Sequence, residues 1–293
     1  MTNQDLEELR REKWRLNGIP VRTLDDARNF IESVGFALMY PLKPPVLLPT
    51  FIGAWTGAAE ALPTWQHAFF DPRAKDATEL MVRMLRERVA YEANLFGENS
   101  TFLVAASIFP YFYALVGEPN PKQAPKPGPR SAYSNLACAA FEAIQKKGPI
   151  SKLQLQQVLS GGVSTAALDK SLTELWSRLR ITRVDYQEGE GAFWDVLYRW
   201  SPDAVREGVE LSQAAGLSAL ISKYLDTVGA ADQQDLEAFF GNFVARSRVA
   251  ESIKALMGVR GLSFVPGDRG PLIQLTVEPE RYGRKAPEGH RVP

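Results

Sequence analysis

The chain has 293 residues, enough for two or three modest domains with real cores. Hydrophobic residues make up 45% of it, charged residues 23%, and the net charge is zero, which argues against a nucleic-acid binder held by bulk electrostatics but leaves local basic patches open. No apolar run approaches the roughly 18 residues that span a bilayer, and the charged N-terminus is not a signal peptide. We therefore expect a cytoplasmic protein without membrane association.

Two residue types that build catalytic and metal sites are scarce. The chain has one cysteine, Cys138, and two histidines, His67 and His290. An internal disulfide is excluded, a Cys/His metal site is disfavoured, and we expect no metal and no cofactor. Cys138 lies in the apolar stretch LACAAFEAI, which predicts a buried core thiol. The sequence also lacks a P-loop, a G-x-S-x-G motif and an H-E-x-x-H motif.

A proline-rich stretch divides the chain. Residues 117–130, GEPNPKQAPKPGPR, contain five prolines and no large apolar residue, a composition that predicts an extended linker. The linker separates an N-terminal domain, residues 1–116, from two modules, residues 131–200 and 201–278. Residues 279–293 are rich in proline, glycine and arginine, and we expect a flexible tail there.

The two modules repeat one pattern at a constant offset of 81 residues. The offset aligns a glycine and four apolar positions: Gly148/Gly229, Leu155/Leu236, Leu172/Ile253, Leu175/Leu256 and Ile181/Leu262. Such an offset indicates duplication of one supersecondary unit.

Each copy predicts three helices and a hairpin. The first helix, about 134–147 or 214–228, ends at the aligned glycine, which we expect in the left-handed conformation. Ser151 and Asp232 stand where the N-cap of a short second helix belongs. A third helix follows, about 164–180 or 243–258, and then two strands around a glycine-rich turn. The predicted fold class is mainly α with small β-hairpins, as tandem winged helix-turn-helix modules.

The N-terminal domain follows this pattern less closely. Thr23 and Asp26 predict a capping box at the start of a helix that ends at Gly35. A proline-interrupted apolar stretch follows, then a helix over 75–93, a strand-like segment over 95–105 and an aromatic helix over 110–117. We expect a divergent winged-helix-like domain with insertions.

The third helices and the hairpins carry clustered positive charge. In a helix-turn-helix protein the recognition helix lies in the major groove, so these cations are candidate phosphate contacts. The candidate DNA-binding residues are Lys170, Arg178, Arg180, Arg183, Arg246, Arg248, Lys254 and Arg269. A solvated helix face explains the same charges equally well. The turn Glu188-Gly189-Glu190 is acidic, so the hairpin around it is predicted to be a wing by fold whose tip repels phosphate.

Several stretches resemble the AlkZ and YcaQ family of bacterial DNA glycosylases. The similar stretches are VRTLDDARNFIESVGFALMYPLK, PYFYALVG and the module from FEAIQKKGPIS to VLYRW. The resemblance extends over about residues 15–278 and is closest to a shorter branch related to AlkZ. It implies tandem winged-helix units, and it implies the family's activity, which removes bulky alkylated bases and unhooks interstrand crosslinks.

The resemblance also identifies the positions of the family's catalytic motif. There, a Gln-aliphatic-Gln or Gln-aliphatic-Asp motif after a glycine positions the attacking water. Leu38 and Tyr40 occupy the two polar positions here, and neither suits the task, since an ordinary tyrosine pKa lies near 10. Gln154–Gln157 has the right letters but lies in the second module, where it predicts a polar helix face.

A second stretch resembles the family's Trp-x-His-Glu-Ala sequence. It is Trp65-Gln66-His67-Ala68, with alanine where the family has its acid. Asp71 follows four residues after His67, so His67, Asp71 and Tyr40 are the candidate catalytic residues. Aromatic residues of the N-terminal domain are candidates for stacking on bases, with core packing as the alternative. They are Trp14, Tyr40, Trp55, Trp65, Phe69, Phe70, Tyr111 and Tyr113.

Three functions follow as hypotheses. The leading one is a DNA-binding protein related to repair glycosylases but without the usual catalytic motif, whose partner is double-stranded DNA, damaged duplex included. The second is an active DNA glycosylase that excises alkylated or crosslinked bases with altered residues. The third is a protein-interaction scaffold built from winged helices, so a protein partner stays open. The sequence does not identify the lesion, the pathway or the oligomeric state.

Overall fold

The computed structural model describes residues 2–68, 70–96, 100–128, 131–159, 162–268 and 270–276. The tail expected over 279–293 lies outside these residues. Helices predominate in the described part, together with small antiparallel sheets, which confirms a mainly α fold. None of the helices in this part has the length and apolar character that a bilayer crossing demands.

One order of elements occurs three times: helix, strand, helix, helix, strand, strand. Helix α1 (Asn3–Lys13) precedes the first unit, which contains α2 (Leu24–Val34), β1 (Phe36–Leu38), α3 (Phe51–Thr56), α4 (Pro72–Arg86), β2 (Ala90–Ala93) and β3 (Phe102–Ala105). After α5 (Phe109–Val116), the second unit contains α6 (Asn135–Lys147), β4 (Ile150–Ser151), α7 (Lys152–Val158), α8 (Thr165–Trp176), β5 (Ile181–Gln187) and β6 (Gly191–Val196). After α9 (Leu197–Trp200) and α10 (Pro202–Glu210), the third unit contains α11 (Gln213–Val228), β7 (Ala230–Ala231), α12 (Gln233–Phe240), α13 (Arg246–Gly258), β8 (Leu262–Gly267) and β9 (Gly270–Leu275).

Each unit closes with a three-stranded sheet rather than the expected two-stranded hairpin. The strand that follows the unit's first helix pairs antiparallel with the unit's last strand, which becomes the central one. In the second unit, for example, Ile150 lies opposite Trp194. The strands β4 and β7 have only two residues each, too few to produce an alternating apolar pattern in the sequence.

The third helix of every unit ends in the same way. Arg88, Leu179 and Arg260 each have a positive φ, of 54°, 52° and 58°. The next residue in each case donates its amide to the carbonyl five residues before it, at 2.9, 3.0 and 2.9 Å. This is a Schellman-type helix end, usually built on glycine. Leu179 and Arg260 are 81 residues apart, the offset of the sequence repeat.

The predicted caps are confirmed, with one exception. Ser151 and Asp232 cap α7 and α12, and Thr23 forms a capping box with Asp26. Gly229 has the expected positive φ of 81°. The expectation for its counterpart was wrong, because Gly148 has φ −66° and ψ 155°. Pro149 follows Gly148, and a residue before proline is directed to the extended region.

The helix predicted over 75–93 is shorter than expected and begins earlier. Helix α4 starts at Pro72, behind the N-cap Asp71, and stops at Arg86. The left-handed residue Arg88 then turns the chain, and 90–93 forms the edge strand β2. The amides of residues 87–89 still bond to carbonyls of α4, but residues 90–93 pair with β3, and this pairing outweighs their helix-forming composition.

The first and third units share one hydrophobic core. The Phe36 ring centre lies 6.4 Å from that of Tyr224 and 5.9 Å from that of Phe239, in near-parallel stacks. Helix α5 packs against α10 and α11 and extends the same core. The second unit has a core of its own, which includes Phe141 and Trp194.

Helix α1 braces this shared body from the third unit's side. The Arg10 guanidinium donates to the carbonyls of Val228 at 2.9 Å and Ala230 at 3.1 Å. The Trp14 indole donates to the Thr227 carbonyl at 2.9 Å. Cationic and N–H donors therefore satisfy carbonyls at the C-terminus of α11, where the helix dipole is negative.

Candidate active site and nucleic-acid interface

The catalytic motif positions lie in and just after β1. Leu38 is buried in the strand and cannot orient water. Tyr40 is also buried, and its hydroxyl is 3.2 Å from the Thr78 hydroxyl on α4. Burial raises the pKa of Tyr40 above 10, with the hydrogen bond to Thr78 acting against this and the charge of Asp71 adding to it. Tyr40 is therefore protonated at neutral pH and is not a general base.

Asp71 caps α4 and is held by an arginine. Its carboxylate accepts from the Arg73 amide at 2.9 Å and from Arg73 Nη2 at 2.7 Å. The hydrogen bond from the Arg73 side chain lowers the pKa of Asp71 below its ordinary 3.8. Asp71 is thus ionised at neutral pH, but its carboxylate already accepts two hydrogen bonds from Arg73 at the start of α4.

His67 lies on the short 3₁₀ helix Trp65–His67, directly before α4. Its ring is exposed, and Nδ1 lies 3.2 Å from the Thr64 amide, which donates to it. The His67 carbonyl accepts from the Asp71 amide at 2.9 Å. The structure therefore gathers the three catalytic candidates around the N-terminal half of α4, Tyr40 through its bond to Thr78 and the other two in the turn before the helix.

An open cavity of about 610 Å³ adjoins this helix start. Its lining combines an aromatic ring with charges of both signs: Arg22, Trp55, Thr56, Ala58, Glu60, Arg73 and Asp76. The Arg22 guanidinium lies 4.4 Å from the Trp55 ring centre. Sequence reasoning missed Arg22 and Arg73, although Asp71-Pro72 is a helix-start signal that places Arg73 in the first turn.

Helix α13 presents the clearest basic surface. Arg246, Arg248 and Lys254 are exposed on it, and Arg248 pairs with Glu251 at 3.4 Å. The N-cap of α13 is Ala245, which offers no side-chain hydrogen bond, whereas α8 and α12 are capped by Ser164 and Asp232. The first-turn amides of α13 thus lie beside two arginines with no protein side chain capping them. Arg269 lies outside the described residues.

The second unit contributes fewer accessible cations. Lys170 is exposed on α8. Lys152, on α7, pairs with Asp169 of α8 at 2.6 Å. Arg178 is exposed after the end of α8, with its guanidinium 5.8 Å from the Tyr133 ring centre. Both Arg178 and Lys126 line an open cleft of about 400 Å³ between α8 and the 117–128 segment.

Arg180 is not a surface residue. Its side chain is 1% exposed and lies over the Phe141 ring, 4.6 Å from the ring centre. It donates to the Glu118 carboxylate at 3.3 Å and to the Asn120 and Gln123 carbonyls. The expectation that Arg180 contacts DNA is wrong for this structure, because the guanidinium instead ties the proline-rich segment to the second unit.

Arg183 lies at the seam between the first and second units. It donates to Glu92 on β2 at 2.8 Å, with its guanidinium 4.4 Å from the Trp176 ring centre and 5.1 Å from that of Trp194. Nearby, Arg86 at the end of α4 pairs with Asp185 on β5 at 2.5 Å. The hairpin of the second unit therefore packs on the first unit, and Arg183 is engaged there rather than presented to a phosphate.

Other chemistry is not apparent in the described residues. Within them, no three His, Cys, Asp or Glu side chains are grouped to hold a metal ion. Cys138 is buried in α6, as predicted, and burial raises the pKa of its thiol. A raised thiol pKa disfavours the nucleophilic thiolate.

Comparison with protein families defines the class of protein. The family model described as DNA glycosylase AlkZ-like matches residues 59–290. This span is more than half of the chain, and the chain belongs to the AlkZ-like DNA glycosylase family, which connects it with DNA repair. The resemblance read from the sequence is thereby confirmed, while the shorter branch stays a prediction. The match begins after Leu38 and Tyr40, and no curated protein matches the chain.

Proposed function

We propose that the protein is a tandem winged-helix protein that binds duplex DNA and lacks the usual water-positioning motif of its family. The repeated order of elements supports the winged-helix assignment, because each unit has two helices joined by a turn followed by a hairpin. On this proposal, α4, α8 and α13 are the recognition helices of the three units. Domain boundaries at about 116, 130, 200 and 278 belong to the same proposal.

The main observation in favour of DNA binding is the exposed basic surface of α13, in a chain that belongs to a DNA glycosylase family. Among the described residues, Arg246, Arg248 and Lys254 show no buried partner that would explain their place as packing. Exposed cations on one helix favour phosphate oxygens through their charge. We therefore assign the third unit the main contact with the DNA backbone, with Lys170 and Arg178 as further contacts from the second unit.

The chemistry of the motif positions supports binding over the family's usual reaction. Leu38 has no polar group, and Tyr40 is buried and protonated. General-base catalysis needs a group that is deprotonated and within reach of the water. Neither residue meets both conditions.

A second candidate function has one observation in its favour. His67 and Asp71 lie together in the turn before α4, next to Arg73, which lines the open cavity, and the lowered pKa of Asp71 keeps it ionised. A carboxylate there could stabilise a developing sugar cation in an altered glycosylase site. The bond from Arg73 weakens this case, since it already neutralises the carboxylate.

The test uses the purified protein with two fluorescent duplexes, one undamaged and one carrying a bulky N7-alkylguanine. Binding is measured by anisotropy at two salt concentrations, and each sample is then heated in alkali to cleave abasic sites. We expect binding that weakens steeply with salt and no strand breaks. Breaks confined to the damaged duplex, and lost in Asp71→Asn or His67→Ala, would establish the second candidate. Absence of binding at low salt would refute DNA binding altogether.

A further inference from the structure

Two aromatic side chains of the first unit are exposed although they are large and apolar. Phe70 is 84% exposed and Trp65 is 43% exposed. Of the other stacking candidates, Phe69 lies outside the described residues, and the rest are buried or half-buried: Trp14, Tyr40, Trp55, Tyr111 and Tyr113. Two such rings within six residues are therefore available for a contact outside the chain.

Backbone hydrogen bonds hold the described residues on both sides of Phe69. The His67 amide donates to the Thr64 carbonyl at 2.9 Å, and the Phe70 amide donates to the His67 carbonyl at 3.0 Å. Asp71 then caps α4 and is fixed by Arg73. The rings therefore project from a chain of tight turns anchored on a helix, a geometry that limits the entropy lost on binding.

The position of this segment relates it to the proposed DNA surface. It joins α3 to α4, so on the proposed winged-helix assignment it is the turn before the recognition helix. Arg73 and Lys75 are exposed on the first turn of α4. The opposite end of α4 is covered by β5 through Arg86 and Asp185. The first unit can therefore approach DNA with the turn and the start of α4, not with the whole helix.

The polar surroundings favour nucleic acid over a protein partner. Gln66 and His67 are exposed between the two rings, so polar side chains separate Trp65 from Phe70 among the described residues of this segment, unlike the apolar centre of a protein interface. Isolated rings next to cations are instead the combination that stacks on bases while the cations hold phosphates. Glu60 and Asp76 line the neighbouring cavity, and Arg73 is paired with Asp71, so the exposed Lys75, which is not among the cavity's lining residues, is the cation placed to hold a phosphate.

We propose that Trp65 and Phe70 stack on nucleobases that are unstacked at a distorted site in duplex DNA. This inference rests on the proposed DNA-binding function and adds to it the feature that is recognised, a locally opened base stack. A mismatch or a bulky adduct lowers the cost of opening the stack, so the aromatic pair favours distorted over regular duplex.

The experiment uses the full-length protein and two duplexes, one regular and one with a mismatch beside a 2-aminopurine, whose fluorescence rises when it is unstacked. Phe70→Ala and Trp65→Ala are compared with Val209→Ala, an exposed apolar residue on α10 outside the proposed surface. We expect either aromatic loss to weaken binding to the mismatched duplex by about 5- to 150-fold and to abolish the fluorescence rise. Phe70→Trp retains both, and Val209→Ala matches the wild type.

Each other outcome identifies what has failed. If the wild type binds DNA and the alanine variants bind both duplexes equally well, the aromatic contact is refuted while DNA binding stands. If the wild type binds neither duplex at low salt, the proposed function fails and this inference fails with it. If sedimentation shows self-association that Phe70→Ala removes, without any effect on DNA, the rings form an interface between copies, and the inference is overturned.

Discussion

Arg183 and Glu92 are 91 residues apart in the chain and form an ion pair of 2.8 Å that joins the second hairpin to the first sheet. Trp176 completes the junction by donating its indole N–H to the Glu92 carbonyl at 3.0 Å. Two atoms of this ion pair, Glu92 Oε2 and Arg183 Nε, are buried and make no hydrogen bond among the described residues. Such a junction fixes how the two units are oriented. Removal of either partner leaves the other charge buried and unpaired, which destabilises the fold.

Arg183→Ala tests this junction. It leaves the buried Glu92 carboxylate without its cation, and we expect the free energy of unfolding to fall by about 3 kcal/mol. Urea denaturation followed by tryptophan fluorescence measures the loss. A double variant, Glu92→Leu with Arg183→Met, removes both charges and should recover most of it. If Arg183→Ala instead lowers DNA affinity and its salt dependence with unchanged stability, the residue is a phosphate contact and not a structural one.

The third unit's basic surface gives a matched pair of variants. Arg248 on α13 and Arg206 on α10 have side chains that are both 68% exposed, and each pairs with an acid three residues away. Arg248→Ala should weaken duplex binding and reduce the slope of log affinity against log salt by about 1. Arg206→Ala removes the same charge and should leave the slope unchanged. Equal effects of the two would mean that overall charge, not the α13 surface, governs binding.

The contacts between α1 and the third unit predict that Trp14, which belongs to no proposed site, contributes to the stability of the fold. Trp14→Phe removes the donor to the buried Thr227 carbonyl, and we expect a loss of about 1–2 kcal/mol in the free energy of unfolding. The same substitution at exposed Trp65 should change stability by less than about 0.5 kcal/mol. Thermal and urea unfolding of both variants make the comparison. A neutral Trp14→Phe would show that the Trp14 hydrogen bond does not contribute to stability.

The helix start at Asp71 predicts a stability difference that depends on pH. Because the folded pKa of Asp71 is lowered, its ionised form stabilises the folded state above the ordinary pKa of 3.8, and this contribution is lost as pH falls through the lower folded value. Wild type should therefore exceed Asp71→Asn in stability at about pH 6, and the gap should be smaller at about pH 2.5, which lies below the ordinary pKa of 3.8. Urea midpoints at both pH values provide the measurement. A gap that is the same at both would rule out the ion pair as its source.

Local sequence signals identified much of the architecture because the physics behind them is local. The capping box at Thr23 and the caps at Ser151 and Asp232 each depend on side chains within three residues. The 81-residue offset reappears in the matching helix ends at Leu179 and Arg260. What the sequence did not show was the added third strand of each sheet, since strands of two or three residues are too short to show periodicity.

The site residues were harder to assign because their partners are distant in the chain. Arg180 and Arg183 look like surface cations beside a helix and a strand, yet their acids, Glu118 and Glu92, lie 62 and 91 residues away. Burial by remote segments leaves no trace in local charge pattern. Exposed Arg248 and buried Arg180 therefore look alike in sequence, and only the fold separates them.

The core shared by the first and third units constrains the order of folding during synthesis. Phe36 and Phe102 of the first unit find Tyr224 and Phe239 only after nearly the whole chain has left the ribosome. The second unit and the first unit's separate core, which includes Phe30 and Phe51, can form while translation continues. The face of the first unit around Phe36 stays exposed until the third unit is made, so we expect chains cut after the second unit to be less soluble than the full chain.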